Sequence, residues 1–128
     1  IIVAVTNKEI RDKLSQANCK IGGWKEGFDP FYGAPVVLIV LADRNLTNCV
    51  YDGSLVMGNL MLAAHELGIG CWIHRAKEEF EMPEWKQWLK DIGVEGEYIG
   101  IGHCVLGYID GDYPNAPKRK ENWVYWVK

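Results

Sequence analysis

The cysteine and histidine residues are the side chains of this 128-residue sequence with the clearest capacity for chemistry. They include two close pairs, Cys71 with His74 and His103 with Cys104. Adjacent residues on a strand point to opposite faces, so at most three of these four side chains can converge on one metal ion. A closed structural zinc site needs four ligands. We therefore expect buried thiols and a hydrogen-bonded histidine, with no metal.

Nucleophilic catalysis and phosphate binding by glycine-rich loops are both disfavoured. No serine lies in a Gly-x-Ser-x-Gly turn, and a thiolate pair of Cys71 with His74 would lack a clear orienting carboxylate. The two Gly-Ile-Gly segments, 68–70 and 100–102, lack the third glycine and the strand–helix context of a dinucleotide fingerprint. Within a strand, such glycines instead indicate a β-bulge or the close approach of another backbone.

Two other segments carry residue types suited to binding. Lys118, Arg119 and Lys120 form a basic cluster, for which a solvated turn is the simpler interpretation and a phosphate site is the alternative. The turn-rich segment 24–33, here called the aromatic loop, carries four rings: Trp24, Phe28, Phe31 and Tyr32. This loop either packs on its own rings or forms a wall over a flat ligand.

The length predicts a single domain covering residues 1–128, and a hydrophobic content of 48% is enough for a core and argues against disorder. A net charge of −3 argues against nucleic-acid binding, and no apolar run reaches the length of a membrane span. No signal peptide opens the sequence, so its four cysteines indicate free thiols in a reducing cytoplasm. The sequence begins without Met inside an apolar run, so we expect a fragment whose upstream part is missing.

Strands and helices alternate along the sequence, which predicts an α+β or α/β sandwich around a central sheet. Apolar runs predict strands at 1–5, 34–41, 71–73, 98–109 and 123–127. The last of these either adds to its own sheet or crosses to the sheet of a second subunit. Helices are predicted after a capping box at 6–9, at 51–67 and from Pro83 to Ile92. In the first helix, the residues assigned to the polar face are Arg11, Asp12 and Lys13.

The helix at 51–67 is unusual because it has almost no polar face. A helix that is apolar on all sides is buried in a core or against a partner. Asp52 or Ser54 is expected to cap its start, and Gly68 to end it.

Several of these segments together resemble the FMN-dependent nitroreductase family. They are residues 34–40, 51–73, the glycine-bearing strand ending at Gly107, and the Pro-Lys-Arg-Lys sequence 117–120. Their order and spacing carry the resemblance, which covers most of the chain. It implies a nitroreductase-like α+β sandwich with a central mixed sheet flanked by helices. It also implies an intertwined homodimer with FMN at the subunit interface.

The resemblance also implies roles for individual segments. The loop against the flavin ring corresponds to Ile73, His74, Arg75 and Ala76, and a backbone N–H of Arg75 or its neighbour would approach flavin N5. The basic residues on the FMN phosphate correspond to Lys118 and Lys120, or to Arg119 with a one-residue offset. The helix at 51–67 corresponds to the dimer-forming helix. An arginine-rich phosphate segment of the family would precede the first residue of this sequence.

The activity that this resemblance implies is an NAD(P)H-dependent flavin oxidoreductase. NAD(P)H would reduce FMN and leave, and a flat acceptor such as a nitroaromatic or a quinone would take its place. Such chemistry requires no catalytic acid or base. The candidates to stack on the acceptor are Trp24, Phe28, Phe31 and Tyr32. The alternatives are reductive dehalogenation on the same fold, a flavin-binding or flavin-storage protein without turnover, and a dimeric scaffold that holds no FMN.

Overall fold

The computed structural model describes residues 1–113 and 115–128. Its sheet contains β1 (Ile2–Val5), β2 (Val36–Asp43), β3 (Gly70–His74) and β4 (Tyr98–Gly107), in the order β1-β2-β4-β3. The helices are α1 (Lys8–Gly22), α2 (Cys49–Glu66) and α3 (Pro83–Asp91), with a 3-10 turn at Glu79–Glu81 before α3. The predicted α+β architecture is therefore confirmed.

The strand directions differ from the expectation of a mixed sheet. The three pairings, β1 with β2, β2 with β4 and β3 with β4, are all antiparallel. The predicted last strand, 123–127, forms no strand in this chain, and its residues are exposed. Of the two destinations predicted for it, addition to its own sheet is therefore wrong. Among the described residues every strand pairing is therefore antiparallel, and the sheet is not mixed.

Helix α1 is bounded by two local signals. Its first turn is capped by Asn7, whose side-chain oxygen accepts a hydrogen bond from Ile10 N–H at 3.0 Å. The predicted capping box placed this role on Thr6, one residue too early. The helix ends as predicted, because Gly23 adopts a left-handed φ of 68° and its N–H donates back to the last turn.

Helix α2 is longer at its start than predicted, since it begins at Cys49. Neither Asp52 nor Ser54 caps it, and Ser54 Oγ instead donates to the Val50 carbonyl at 2.7 Å. Gly68 follows the helix with a left-handed φ of 69°, as expected. One face of α2 packs on the sheet, but large apolar side chains on the other face are exposed: Leu55, Val56 and Leu62. The predicted burial of α2 is therefore not achieved by contacts within this chain.

The sheet carries apolar packing on both faces. The larger cluster joins the inward side of α1 and α3 to β2 through residues such as Leu14, Ile39 and Leu89. The smaller cluster lies under α2 and includes Val40, Met57 and Cys104. His103 contacts the Phe31 and Phe80 rings of the larger cluster, so His103 and Cys104 do point to opposite faces. This arrangement confirms that β2 is covered on both sides.

A bulge in β4 lies beneath the turn that follows β3. The register between β2 and β4 shifts so that Val40 pairs with Gly102 and Leu41 with Gly100, which leaves Ile101 as the extra residue. The Ile101 side chain occupies the space that a Cβ at Gly53 of α2 would need. A Cβ at Gly100 would overlap the carbonyl of Ala76. Both readings of the glycine pair, a bulge and a close backbone approach, are therefore confirmed.

Gly100→Ala should destabilise the fold, because the added methyl group meets backbone atoms of Ala76 that cannot move independently. We expect a loss of about 1–3 kcal/mol in the free energy of unfolding, as is usual for overpacking. Lys13→Ala is the control: Lys13 is exposed on α1, away from the outer face of α2. Its substitution should change the free energy of unfolding by less than about 0.5 kcal/mol. Urea unfolding measures both, and equal stability of Gly100→Ala and wild type would contradict the close approach.

Candidate functional site

The four residues Ile73–Ala76, here called the β3 exit, lead the chain out of the sheet. Ile73 and Arg75 are exposed, whereas His74 and Ala76 are buried. This alternation follows from the strand, whose successive side chains point to opposite faces. The segment crosses β4 where Gly100 leaves no side chain in the way. The β3 exit is thus held close to the sheet, with the Arg75 side chain directed to solvent.

The backbone of the β3 exit is fixed through its carbonyl groups. The Arg75 carbonyl accepts a hydrogen bond from Asn18 Nδ2 at 2.8 Å. The Ala76 carbonyl accepts one from Phe80 N–H at 3.0 Å. Within the described residues, the N–H groups of Arg75 and Ala76 donate to no backbone carbonyl. One backbone donor, at exposed Arg75, therefore remains for a ligand at a place where the backbone itself is held, whereas Ala76 is fully buried.

His74 uses its side chain for packing against the aromatic loop. Its ring centroid lies 6.0 Å from that of Trp24, 5.5 Å from Phe31 and 6.2 Å from Tyr32. Burial lowers the pKa of His74, and nearby His103 lowers it further, so the imidazole is neutral at pH 7. Its Nε2 atom has no hydrogen-bond partner among the described residues. The imidazole thus packs the aromatic loop onto β3.

The aromatic loop contains one core residue and three surface residues. Phe31 is fully buried in the larger core cluster, so its ring packs in the core and has no surface for the predicted contact with an acceptor. Its ring is enclosed by Arg11, His74 and His103. The other three rings predicted for the acceptor site, Trp24, Phe28 and Tyr32, are exposed. The structure thereby removes Phe31 from the predicted set.

Asp29 pins the aromatic loop to α1. One carboxylate oxygen accepts from Ser15 Oγ at 2.5 Å and from Phe31 N–H at 2.9 Å. The other accepts from Arg11 Nη2 at 2.6 Å and from Gly33 N–H at 2.8 Å. Arg11 also donates from Nε to a loop carbonyl at 2.9 Å. Sequence reasoning missed this clamp, because it assigned Arg11 to the polar face of α1, and the Asp-Pro pair at 29–30 signals only a turn.

A buried polar cluster lies behind the β3 exit and was also missed. It joins Asn18 of α1, Glu79 of the 3-10 turn and His103 of β4, all of them at most 1% exposed. Asn18 Nδ2 donates to Glu79 Oε2 at 3.1 Å, and His103 Nε2 makes a hydrogen bond with the same oxygen. Burial raises the pKa of Glu79, although the hydrogen bonds from His103 and Asn18 oppose this effect. No short-range sequence pattern signals a cluster assembled from three distant elements.

A groove of about 1130 Å³ lies between α1 and the aromatic loop. Trp24, Phe28 and Asp29 line it on the loop side, and Lys8 and Lys20 line it on the α1 side. Neither the β3 exit nor the basic cluster 118–120 contributes to its lining. The predicted acceptor and flavin contacts therefore do not share this groove.

The basic cluster lies in the exposed C-terminal tail. Lys118 pairs with Glu121 at 3.2 Å, and both side chains are largely exposed. Within the described residues, this local ion pair is the only one that the cluster makes. The structure of this chain thus does not bring Lys118, Arg119 or Lys120 to the β3 exit.

Three further predictions concern metals, thiols and membranes. In residues 1–113 and 115–128, no group of three or more His, Cys, Asp or Glu side chains is placed to hold a metal ion. The four cysteines are free thiols. Burial raises the pKa of Cys104 to about 11, and neighbouring Cys71 adds to this effect. None of the helices in the described part of the chain combines the length and apolarity needed to cross a membrane.

Asp29→Asn should destabilise the protein in a pH-dependent way. Burial is the largest effect on Asp29 and opposes its ionisation, but the hydrogen bonds from Arg11, Ser15, Gly33 and Phe31 together lower its pKa from 3.8 to about 2. A lowered pKa means that ionised Asp29 stabilises the fold above about pH 4 and loses this contribution as the pH falls toward 2. Allowing for its partial exposure, we expect a loss of about 1–2 kcal/mol at pH 7.

Urea unfolding of wild type and variant between pH 7 and 2 measures this difference. It should shrink as the pH falls from about 4 to 2, because the Asp29 carboxylate takes up a proton first in the unfolded chain and then in the folded protein. Asp110→Asn, at an exposed position after β4, is the control and should leave stability unchanged across the range. A pH-independent effect of Asp29→Asn would contradict the assigned charge.

Comparison with known proteins adds evidence on the fold. No family model matches the sequence, and no curated protein matches it. Two solved structures with similar folds are nitroreductases with bound FMN. The one from Bacteroides fragilis has a TM-score of 0.86 at 22% identity, over 100% of this chain and 75% of that chain. The one from Desulfitobacterium hafniense has a TM-score of 0.80 at 20% identity, over 99% and 74%.

A third similar structure carries a different activity. Oxidised iodotyrosine deiodinase, bound to FMN and 3-iodo-L-tyrosine, has a TM-score of 0.68 at 19% identity, over 99% of this chain and 76% of that chain. Structural likeness at this level of identity establishes the fold. The expectation drawn from the sequence is therefore confirmed at that level, and this chain has the fold of the FMN-bound nitroreductases.

Proposed function

We propose that this protein is an FMN-dependent oxidoreductase that passes electrons from NAD(P)H to a flat acceptor such as a nitroaromatic or a quinone. The observation that carries the proposal is the likeness of the whole chain to nitroreductases with bound FMN. Coverage of the full chain matters, because a partial match could reflect a common sheet without its site.

The backbone of the β3 exit is suited to contact a flavin ring. The N–H of exposed Arg75 donates to no backbone carbonyl in the described chain, while the carbonyl groups of Arg75 and Ala76 are held by Asn18 and Phe80. Bound FMN supplies the hydride and electron transfer. The chain supplies this N–H donor and, on the Arg75 side chain, an exposed positive charge beside it. Ile73 is also exposed and offers an apolar surface to the ring.

The basic cluster is the proposed phosphate contact. Lys118, Arg119 and Lys120 are exposed and make no ion pair with the folded body in the described chain, so their charges are available to a phosphate. We propose that the C-terminal tail docks on another surface when it contributes to the phosphate site, since the cluster's ion pair in the described chain is local. A second subunit offers such a docking place.

A homodimer is proposed because two apolar surfaces of this chain lack a cover. The outer face of α2 exposes Leu55, Val56 and Leu62, the last with 70% of its surface accessible. The tail exposes Trp123, Tyr125 and Trp126. Contiguous apolar surface of this kind is a mark of an interface. An exchange of tails across the α2 faces would cover both surfaces at once.

Three exposed rings are the proposed contacts for the acceptor: Trp24, Phe28 and Tyr32. Of these, Tyr32 packs edge-on against Trp72 of β3. The likeness to iodotyrosine deiodinase specifically favours reductive dehalogenation as the second candidate function. Flavin storage without turnover is the non-enzymatic alternative. These candidates differ in what happens after FMN binds.

A visible absorption spectrum tests the proposed function directly. Purified protein incubated with FMN and freed of excess should keep a flavin band, which should bleach anaerobically with NADPH or NADH. Addition of a nitroaromatic or a quinone should then restore the band. The same mixture without protein is the control for direct reaction between the donor and free FMN.

Each other result selects an alternative. A band that persists with both donors would indicate flavin storage. Recovery only with a halogenated phenol would indicate dehalogenation. Failure to retain FMN would contradict the proposed function for this chain.

In the same assay, Phe28→Leu should raise the KM for the acceptor and leave bleaching by the donor unchanged.

Leu62→Glu should prevent dimer formation, because it places a charge on the uncovered face of α2, where a partner would desolvate it. Ile92→Glu is the matched control, since Ile92 is a partly exposed aliphatic residue at the end of α3. Sedimentation equilibrium should show a dimer for wild type and the control, and a monomer for Leu62→Glu. A dimer that survives the Leu62 change would place the interface elsewhere.

A further inference from the structure

His74 attaches the aromatic loop to β3. Its ring centroid lies 5.5 to 6.2 Å from those of three loop residues: Trp24, Phe31 and Tyr32. The carbonyl of Pro30, in the same loop, accepts a hydrogen bond from the imidazole. Beneath the loop, His74 is only 8% exposed. The loop therefore cannot leave β3 without uncovering this ring.

The surroundings of His74 suit a neutral imidazole and not a charged one. Its Nε2 atom is buried and has no hydrogen-bond partner among the described residues. In a neutral imidazole that donates its N–H to Pro30, this atom carries no proton. Protonation would turn it into an N–H without an acceptor and would place a charge in an apolar setting, which is costly. The next residue, Arg75, is a cation directed to solvent and adds no compensating charge.

The charged groups on the elements around His74 are already engaged with each other. Burial lowers the pKa of His74 and His103 of β4 lowers it further, whereas Asp29 of the loop raises it. The Asp29 carboxylate, however, already accepts four hydrogen bonds, one of them from Arg11 of α1. The carboxylate of Glu79, on the 3-10 turn, is hydrogen-bonded to His103. A charged His74 would therefore have no carboxylate free to pair with it in the closed loop.

We propose that His74 is a pH-sensitive switch, whose protonation releases the aromatic loop from β3. No group has to reach the buried imidazole in the closed state, because the proton is taken up when the loop opens and exposes the ring. The closed loop disfavours the charged imidazole, so closure is most stable above about pH 6.5 and weakens as the pH falls below that value. Each pH unit below about 6.5 can raise the ratio of open to closed loop by up to tenfold.

Hydrogen exchange of the Phe31 amide measures this opening. Phe31 is fully buried, and its N–H donates to Asp29 Oδ1 at 2.9 Å, so exchange requires the loop to open. Exchange rates between pH 7.5 and 5, divided by the intrinsic rate at each pH, give the opening constant. In the wild-type protein without FMN, this constant should rise by up to about tenfold for each pH unit below about 6.5. An opening constant that does not change with pH would overturn the proposal.

The amide of Ile39 separates loop opening from global unfolding. Ile39 is fully buried in β2, the strand paired on both sides, and belongs to the larger core cluster. Its opening constant should be smaller than that of Phe31, because it exchanges only when the sheet comes apart. Equal opening constants at the two amides would mean that the loop opens only with the whole protein, which would overturn the switch.

His74→Phe keeps an aromatic ring against the loop and removes the titrating group. Its Phe31 opening constant should lose the increase below about pH 6.5 that wild type shows. Burial raises the pKa of Glu79, but this residue is present in both proteins, so the difference between them reports His74. His65→Phe is the matched control: it is the same change at an exposed histidine of α2 and should keep the wild-type dependence. A wild-type pH dependence in His74→Phe would contradict the proposal.

An NMR titration of the wild-type histidine rings keeps the test decisive if His74→Phe does not fold. The ring signals of His74 should titrate below about pH 6.5, the ordinary value for an imidazole. Titration of His74 at or above that pH would refute the switch, because the closed loop would then not disfavour the charged ring.

These results are independent of the proposed function. The exchange and titration measurements use protein without FMN, so a failure to retain FMN would leave the switch supported. Absence of the switch would likewise leave the proposed flavin chemistry unaffected. Where both hold, the rings proposed as acceptor contacts lie on a loop whose closure weakens in acid.

Discussion

The crossing of the β3 exit over β4 is the constraint on which the rest of this structure depends. Two backbones meet at Gly100 and Ala76 at a distance that excludes any side chain. The crossing sets where β3 ends and where the 3-10 turn with Glu79 begins. It also fixes the depth at which Asn18 can reach a main-chain carbonyl. An extended loop at this place would leave the polar groups behind it without partners and expose the larger core cluster.

Local patterns predicted the elements well, because each depends on neighbouring residues. The apolar run at 34–41 gave β2, and Gly23 and Gly68 ended their helices through a left-handed backbone that glycine adopts easily. Errors at helix starts were small, as with Asn7 and Cys49, since several residues near each start could serve as caps. The bulge in β4 was foreseen from its glycines for the same reason.

The site was predicted less well, because its parts come from distant positions. The periodicity of α1 assigned Arg11 to solvent, but Asp29 and the Phe31 ring cover it, and no pattern in either segment announces the other. Phe31 was grouped with its exposed neighbours because four rings in one loop look alike in sequence, whereas burial separates them. The tail at 123–127 has the alternation of a strand, but it pairs with neither edge strand, β1 or β3, of this chain, and alternation alone does not choose a partner strand.

The fit between Ile101 and Gly53 also joins β4 to α2. Gly53 interrupts α2 with a residue of poor helix propensity, and the side chain of the β4 bulge fills the gap it leaves. The two positions therefore form one steric unit, since any side chain at position 53 would collide with Ile101. The shape of this strand residue accounts for a glycine that weakens its own helix. This contact therefore fixes the position of α2, and of its outward surface, relative to β4, the strand that supports the β3 exit.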